Sequence, residues 1–98
     1  MKVYLVRERK NINAVGEYDM ETKALTVKKG SRVSEGIAYT EKFRGAKTIE
    51  KDRAGTVKDH IVTKDISFKS ASTAANFVTG GSTNGLMAWK ADNGLTIK

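Results

Sequence analysis

The sequence has no cysteine, no proline and a single histidine, His60, among its 98 residues. Without cysteine, the chain cannot form disulfides, thiolate zinc sites or a cysteine nucleophile. One histidine cannot supply a site that needs two imidazoles, and Asp59 and Asp65 lack an obvious third carboxylate for a hydrolytic metal site. We interpret His60 as an ordinary strand residue, with a general-base role as the alternative. We therefore expect a protein that is not an enzyme and uses no metal or cofactor.

Long hydrophobic runs are also missing. The longest apolar stretches span only a few residues, such as Val3 to Val6, whereas a helix needs ~20 apolar residues to cross a bilayer. No signal-peptide core follows Met1. We expect a cytoplasmic protein without membrane contact, and the length predicts one domain over residues 1–98.

What the sequence does have is positive charge. Lys and Arg number 18 against 11 Asp and Glu, which gives a net charge of +7, and the isoelectric point is near 9.8. Such a balance favours polyanionic partners, chiefly nucleic acid, although charge can also serve solubility alone. Most of the excess precedes residue 54, and residues 70–98 carry a net charge of only +1.

The pattern of apolar residues and turn residues predicts an α+β domain, with two helices on an antiparallel sheet. The expected strands are 3–7, 14–20, 24–28, an irregular strand over 32–38, one or two strands over 57–63 and 66–68, and a final hairpin of 87–90 with 95–97. Helices are expected over 40–53, with Thr40 as N-cap, and from the N-cap Ser70 to about Thr79. Gly80-Gly81 would end the second helix, since glycine accepts the left-handed conformation found there.

The first predicted helix carries a basic stripe. Arg44, Lys47 and Lys51 follow one another at steps of three and four, opposite the apolar side. The stripe is either a nucleic-acid contact or a solvated helix face. If nucleic acid binds, we expect phosphate contacts from Lys28, Lys29, Arg32, Arg44, Lys47 and Lys51.

Residues 68–90 hold a specific pattern: Phe-x-Ser-x-Ser-x-Ala-Ala, then glycine, then Asn-Gly, then Trp-Lys. The motif positions that we single out are Ser70, Ala74, Gly80, Asn84, Gly85, Trp89 and Lys90. The pattern resembles a small bacterial domain of unknown function that occurs C-terminal to GIY-YIG-type nuclease domains and is related to restriction–modification-associated modules. The similarity extends over about residues 14–97, and Leu86 departs from the aromatic residue that family members often have after Asn-Gly.

Each motif residue has a structural and a functional interpretation. The Gly80–Gly85 loop is either a turn that needs positive φ, which we favour, or a cradle of backbone N–H groups with Asn84 reading a base edge. Trp89 is expected as a core anchor under the second helix, with base stacking as the alternative. Ser70 and Ser72 are expected to cap.

These observations favour a non-catalytic accessory domain that binds nucleic acid electrostatically, with DNA favoured over RNA. The alternative is a protein-interaction module that docks on a nuclease or methyltransferase partner. A small enzyme is the weakest hypothesis, because no nucleophile, acid–base pair or ligand set stands out in the sequence.

Overall fold

A four-stranded antiparallel sheet forms the frame of the computed structural model, which describes residues 1–38 and 45–97. Its spatial order is β1-β2-β3-β6, and a separate hairpin of β4 and β5 stands beside it. The strands are β1 (Lys2–Arg7), β2 (Ile12–Tyr18), β3 (Leu25–Val27), β4 (Val57–Lys58), β5 (Ile61–Val62) and β6 (Ile66–Phe68). The helices are α1 (Ala46–Arg53), α2 (Ala71–Thr79) and α3 (Gly85–Ala88), and a 3-10 turn (Glu8–Lys10) follows β1. The prediction of an α+β fold on an antiparallel sheet is confirmed.

One face of the sheet packs against α2 and forms the core. Alternation along β1 and β2 buries Val3, Leu5, Ile12 and Ala14, because successive side chains of a strand point to opposite faces. Helix α2 contacts β2, β3 and β6, and both α1 and α3 pack against α2. The helical layer therefore lies on this one side of the sheet.

Trp89 is the centre of this core. It is fully buried, and its indole Nε1 donates a hydrogen bond of 3.1 Å to the carbonyl oxygen of Ala71, in the first turn of α2. A buried indole N–H needs such a partner. Gly16 of β2 lies under the ring: a Cβ there would be 3.3 Å from the Trp89 ring and 2.8 Å from Leu25. The prediction of Trp89 as a core anchor is confirmed.

Helix α2 has the predicted boundaries. The Ser70 hydroxyl accepts a hydrogen bond of 3.1 Å from the backbone N–H of Thr73, which satisfies one of the free donors at the helix start. Gly80 ends the helix with φ 77°, and a Cβ there would overlap the backbone of Gly36. Ala71, Ala74 and Ala75 are buried, and their small side chains bring the helix close to the sheet.

Several expected elements differ from the structure. The second strand begins at Ile12 rather than residue 14. In place of a strand over 32–38, Arg32 alone bridges Asn13 and Ile61. In place of the final hairpin over 87–90, residues Gly85–Ala88 form α3, and only Lys90 pairs with Thr96.

The first predicted helix is described only in part. Helix α1 covers Ala46–Arg53, and Gly45 immediately precedes it. The expected N-cap Thr40 and the start of the predicted helix lie outside the described residues. No helix in the described ranges 1–38 and 45–97 is long and apolar enough to span a membrane.

Candidate nucleic-acid interface

The sheet face opposite α2, which we call the outer face, carries side chains that follow from strand register. Residues paired across neighbouring strands share a face of the sheet. Three rows of such partners cross the outer face. They are Lys58–Ile61–Arg32–Asn13–Val6, Lys28–Val15–Tyr4–Lys90–Thr96, and Ser67–Thr26–Glu17–Lys2.

Five of these residues are cations. Lys2, Lys28, Lys58 and Lys90 are exposed, and Arg32 is half-buried in its row. Two half-buried aliphatic side chains, Val15 and Ile61, lie between cations of their rows, and Val6, which is 54% exposed, ends its row. The outer face therefore alternates cations with apolar side chains.

In the described part of the chain, the carboxylates of Glu17 and Asp65 lie at this face, and both are paired. Glu17 accepts from the amino group of Met1 at 2.8 Å, and Asp65 pairs with Lys28 Nζ at 3.0 Å. Asp65 also accepts from the backbone N–H of Lys29 at 2.8 Å. That backbone bond, followed by the Lys28 ammonium, holds the pKa of Asp65 below its ordinary value of 3.8.

Tyr4 is the aromatic residue in these three rows. Its ring is half-buried, and Lys2 Nζ lies 5.7 Å from the ring centroid, within cation–π range. Tyr4 also lines a groove of about 370 Å³ at the β1 edge, together with Val6, Arg7, Met87 and Lys90. The register places an aromatic ring between an ammonium and a groove.

The residues predicted to contact phosphate fall into two groups. Lys28 and Arg32 lie on the outer face, and Lys29 is exposed next to them. Lys47 and Lys51 are exposed on α1, which packs against α2 rather than forming part of the sheet. Arg44 lies outside the described residues. The structure thus places the two groups on different layers of the fold.

Most of the motif residues make internal contacts. Ser72 Oγ accepts from the backbone N–H of Gly85 at 3.1 Å, and the Asn84 side chain accepts from Leu86 N at 3.1 Å to cap α3. A Cβ on Gly85 would overlap the carbonyl group of Ala71. These contacts support the interpretation of the Gly80–Gly85 segment as a packed turn.

Lys90 is the motif residue that faces the other way. Trp89 is buried in the core, whereas Lys90 is exposed and pairs with Tyr4 through two backbone hydrogen bonds of 2.7 and 2.8 Å. The Trp-Lys pair therefore joins the hydrophobic core to the outer face.

A family comparison covers nearly the whole chain. The family described as "Domain of unknown function (DUF4357)" matches residues 5–98. The chain belongs to the DUF4357 family. No curated protein and no solved structure matches it significantly. The description of the family states no activity, so the function of this DUF4357 domain has to be argued from its geometry.

A second groove of this DUF4357 domain also contains both basic side chains and motif residues. Arg9 and Lys10 line a groove of about 470 Å³ with Gly80 and Gly81, and Glu35 is part of the same wall. The C-terminal end of α2 is the pole of a helix that disfavours anions. Because this pole and Glu35 oppose anion binding, the outer face is the better candidate interface.

Sequence reasoning missed Lys2, Tyr4 and Lys58. The alternation Lys2-Val3-Tyr4-Leu5-Val6 could have assigned Lys2 and Tyr4 to the face opposite Val3 and Leu5. Lys58 had no such signal, because β4 has only two residues and its alignment with Arg32 depends on long-range pairing.

Arg53 was also missed, and its role is internal. Its guanidinium donates to the carbonyl oxygens of Phe77 at 2.7 Å, Val78 at 3.3 Å and Ser34 at 3.1 Å. A cation at the C-terminal end of α2 satisfies carbonyls that have no partner in the helix and complements its dipole. Arg53 therefore ties α1 to α2 and is not available as a ligand-binding cation.

His60 lies in a tight turn rather than inside a strand. Asp59 and His60 have φ values of 53° and 66° between β4 and β5, the left-handed geometry of a two-residue hairpin turn. The carbonyl oxygen of His60 accepts from Val33 N at 2.8 Å. In the described ranges, no three His, Cys, Asp or Glu side chains form a group that could hold a metal ion.

Proposed function

We propose that this DUF4357 domain is a non-catalytic accessory module that binds nucleic acid, with DNA as the target, through the outer face of its sheet. The observation that carries the proposal is the register that brings Lys2, Lys28, Arg32, Lys58 and Lys90 onto one face of the sheet, the face opposite α2. The two carboxylates at this face are occupied by cations, so they oppose a phosphate backbone less than free carboxylates would.

The affinity would come mainly from neutralised phosphates. Each phosphate contact releases a condensed counterion, so the logarithm of the binding constant falls with the logarithm of salt concentration by about 0.9 per contact on duplex DNA and about 0.7 on a single strand. With three to five contacts, the expected slope lies between about −2 and −4.5.

The resemblance to domains that occur beside GIY-YIG-type nucleases suggests the setting. In this proposal the module works in the bacterial cytoplasm and holds nucleic acid for a nuclease or methyltransferase partner. The chemistry then belongs to the partner, and this domain contributes affinity.

Fluorescence anisotropy tests the proposal directly. The full chain is titrated into labelled single-stranded DNA, duplex DNA and RNA of 20 nucleotides, at salt concentrations from 50 to 200 mM. We expect saturable binding at 50 mM salt, tighter for DNA than for RNA, with a slope in the range given above. Absence of binding to all three at 50 mM would refute the proposal.

One observation favours a second function, docking on a protein. Tyr18, Met20, Leu86 and Ile97 line a groove of about 510 Å³ beside the motif residues Ser70 and Ser72, and Met20 is 63% exposed. An apolar side chain of a partner nuclease or methyltransferase would fit this groove. A pull-down of such an enzyme that survives nuclease treatment and is lost in Met20→Lys would support docking; retention by Met20→Lys would argue against it.

A further inference from the structure

We infer that the outer face binds a single strand rather than a duplex, with one base stacked on Tyr4 in the groove between the β1 edge and α3. The inference rests on the proposed function and adds to it the class of nucleic acid and the residue that holds a base. Three features of the structure carry it: the position of Tyr4, the groove beside it, and the apolar side chains that lie between the cations of the face.

Tyr4 lies in the middle of a row of the sheet. Val15 is its partner on β2 and Lys90 is its partner on the other side. Its neighbours in this row are strand side chains, and Lys2 Nζ lies 5.7 Å from the ring centroid. A base would therefore stack on the ring beside this ammonium or in its place. Bases stack on aromatic rings of this kind without regard to sequence.

The groove beside Tyr4 has the composition that a nucleotide needs. Its apolar wall consists of Val6 and Met87, each 54% exposed, and its cations are Arg7 and Lys90. Its volume of about 370 Å³ lies in the range of about 300–1,000 Å³ typical of small-molecule sites. Apolar walls suit the base, and the cations suit the adjoining phosphates.

The apolar side chains of the outer face distinguish the two forms of nucleic acid. Val15 and Ile61 lie between cations of their rows, where a duplex would press its phosphates and sugars against them. In a single strand the bases are free to turn toward the protein and cover these side chains. The described helices α1 and α3 pack against α2 on the other side of the sheet, so none of the three presents itself on this face to enter a major groove.

Three variants test the inference by anisotropy, with a labelled 12-nucleotide DNA strand and the matching duplex. Tyr4→Leu removes the ring, Met87→Gln makes the groove wall polar, and Tyr4→Phe keeps the ring as the matched control. Met87 is exposed, so its replacement leaves the core intact. Emission from the buried Trp89 checks that each variant is folded.

We expect the wild type to prefer the single strand. Tyr4→Leu should weaken single-strand binding by about 5- to 100-fold, the range that follows from the stacking energy of one base. Met87→Gln should weaken it by at least about 3-fold, while duplex binding changes by less than about 2-fold. Tyr4→Phe should bind the single strand within about 2-fold of the wild type, since the π-face is retained.

The possible failures are distinct. If the wild type binds the duplex as tightly as the single strand, or if Tyr4→Leu and Met87→Gln leave single-strand binding unchanged, the inference is overturned although nucleic-acid binding stands. If the wild type binds neither, the proposed function fails together with the inference.

Discussion

Gly85 lies where any side chain would collide with backbone. Its N–H donates to Ser72 Oγ at 3.1 Å, and a Cβ there would overlap the carbonyl group of Ala71 and the N atom of Ser72. The same Ala71 carbonyl accepts the indole N–H of Trp89 at 3.1 Å. The spacing from Ser72 through Gly85 to Trp89 is therefore explained by one close approach of α3 to the start of α2.

This contact predicts that Gly85→Ala destabilises the fold by about 2 kcal/mol or more, because the backbone of α2 has to shift. Gly36→Ala is the matched control: beyond the adjacent residues, no atom of the described ranges 1–38 and 45–97 lies within 4 Å of a Cβ at Gly36. Its stability should therefore change by less than about 1 kcal/mol. Urea unfolding followed by Trp89 fluorescence measures both. Equal midpoints for the two variants would contradict the packing argument.

At the scale of elements, two candidates can supply the cations that bind nucleic acid: the outer face of the sheet and helix α1. Arg32 and Lys90 lie on the outer face, whereas Lys47 and Lys51 lie on α1 in the helical layer. Both pairs carry the same charge, so replacing either pair by glutamine lowers the net charge equally. A difference in binding between the two double variants therefore reports position and not total charge.

We expect the double variant Arg32→Gln/Lys90→Gln to bind a DNA single strand at least about 10-fold more weakly at 100 mM salt. Its salt slope should be shallower by about 1.4, since two phosphate contacts are lost. Lys47→Gln/Lys51→Gln should bind within about 2-fold of the wild type. The opposite ranking would place the interface on α1, as the stripe in the sequence suggests.

Local sequence patterns predict the bounds of helices and strands correctly where the local signal and the tertiary contacts favour the same structure. Ser70 and Gly80 bound α2 as expected, because capping and a positive φ are local properties. The prediction of a hairpin strand over 87–90 is wrong at Met87 and Ala88, which lie in helix α3. There Asn84 caps a helical turn, and Ser72 holds Gly85 from 13 residues away.

The candidate site could be predicted only in part for the same reason. The sequence showed that the charge excess precedes residue 54, but Lys90, from the nearly neutral last third, pairs with Tyr4 and joins the outer face. Strand β4 brings Lys58 to the same face through Ile61 and Arg32. Such pairings depend on the whole fold, and no local periodicity encodes them.

At the scale of the whole molecule, the two faces of the sheet differ. The helical layer and the core, with Trp89 and Phe77, cover one face, and the rows of basic and apolar side chains lie on the other. The fold therefore buries most of the motif residues, whereas part of the net charge of +7 lies on exposed side chains of the outer face. Two acidic residues, Asp19 and Asp65, hold turns of the sheet and make the stability of this arrangement dependent on pH.

The direction of this dependence follows from the pKa values. Backbone hydrogen bonds from Glu21 and Thr22 hold the pKa of Asp19 below its ordinary value of 3.8. The backbone N–H of Lys29, followed by the side-chain ammonium of Lys28, lowers the pKa of Asp65 in the same way. A carboxylate whose pKa is lowered on folding contributes stability above its unfolded pKa and loses it as pH falls through its folded pKa.

We therefore expect Asp19 and Asp65 to leave the melting temperature nearly unchanged from pH 7 to about pH 5. Below about pH 4, their protonation should lower the melting temperature. Thermal unfolding by circular dichroism measures it. In Asp65→Asn the neutral side chain cannot lose a charge, so its decline between pH 5 and pH 3 should be smaller than that of the wild type. Asp92→Asn, a change at an exposed carboxylate in the last turn, is the matched control and should follow the wild type. Parallel curves for Asp65→Asn and the wild type would show that the bonds from Lys28 and Lys29 do not stabilise the fold.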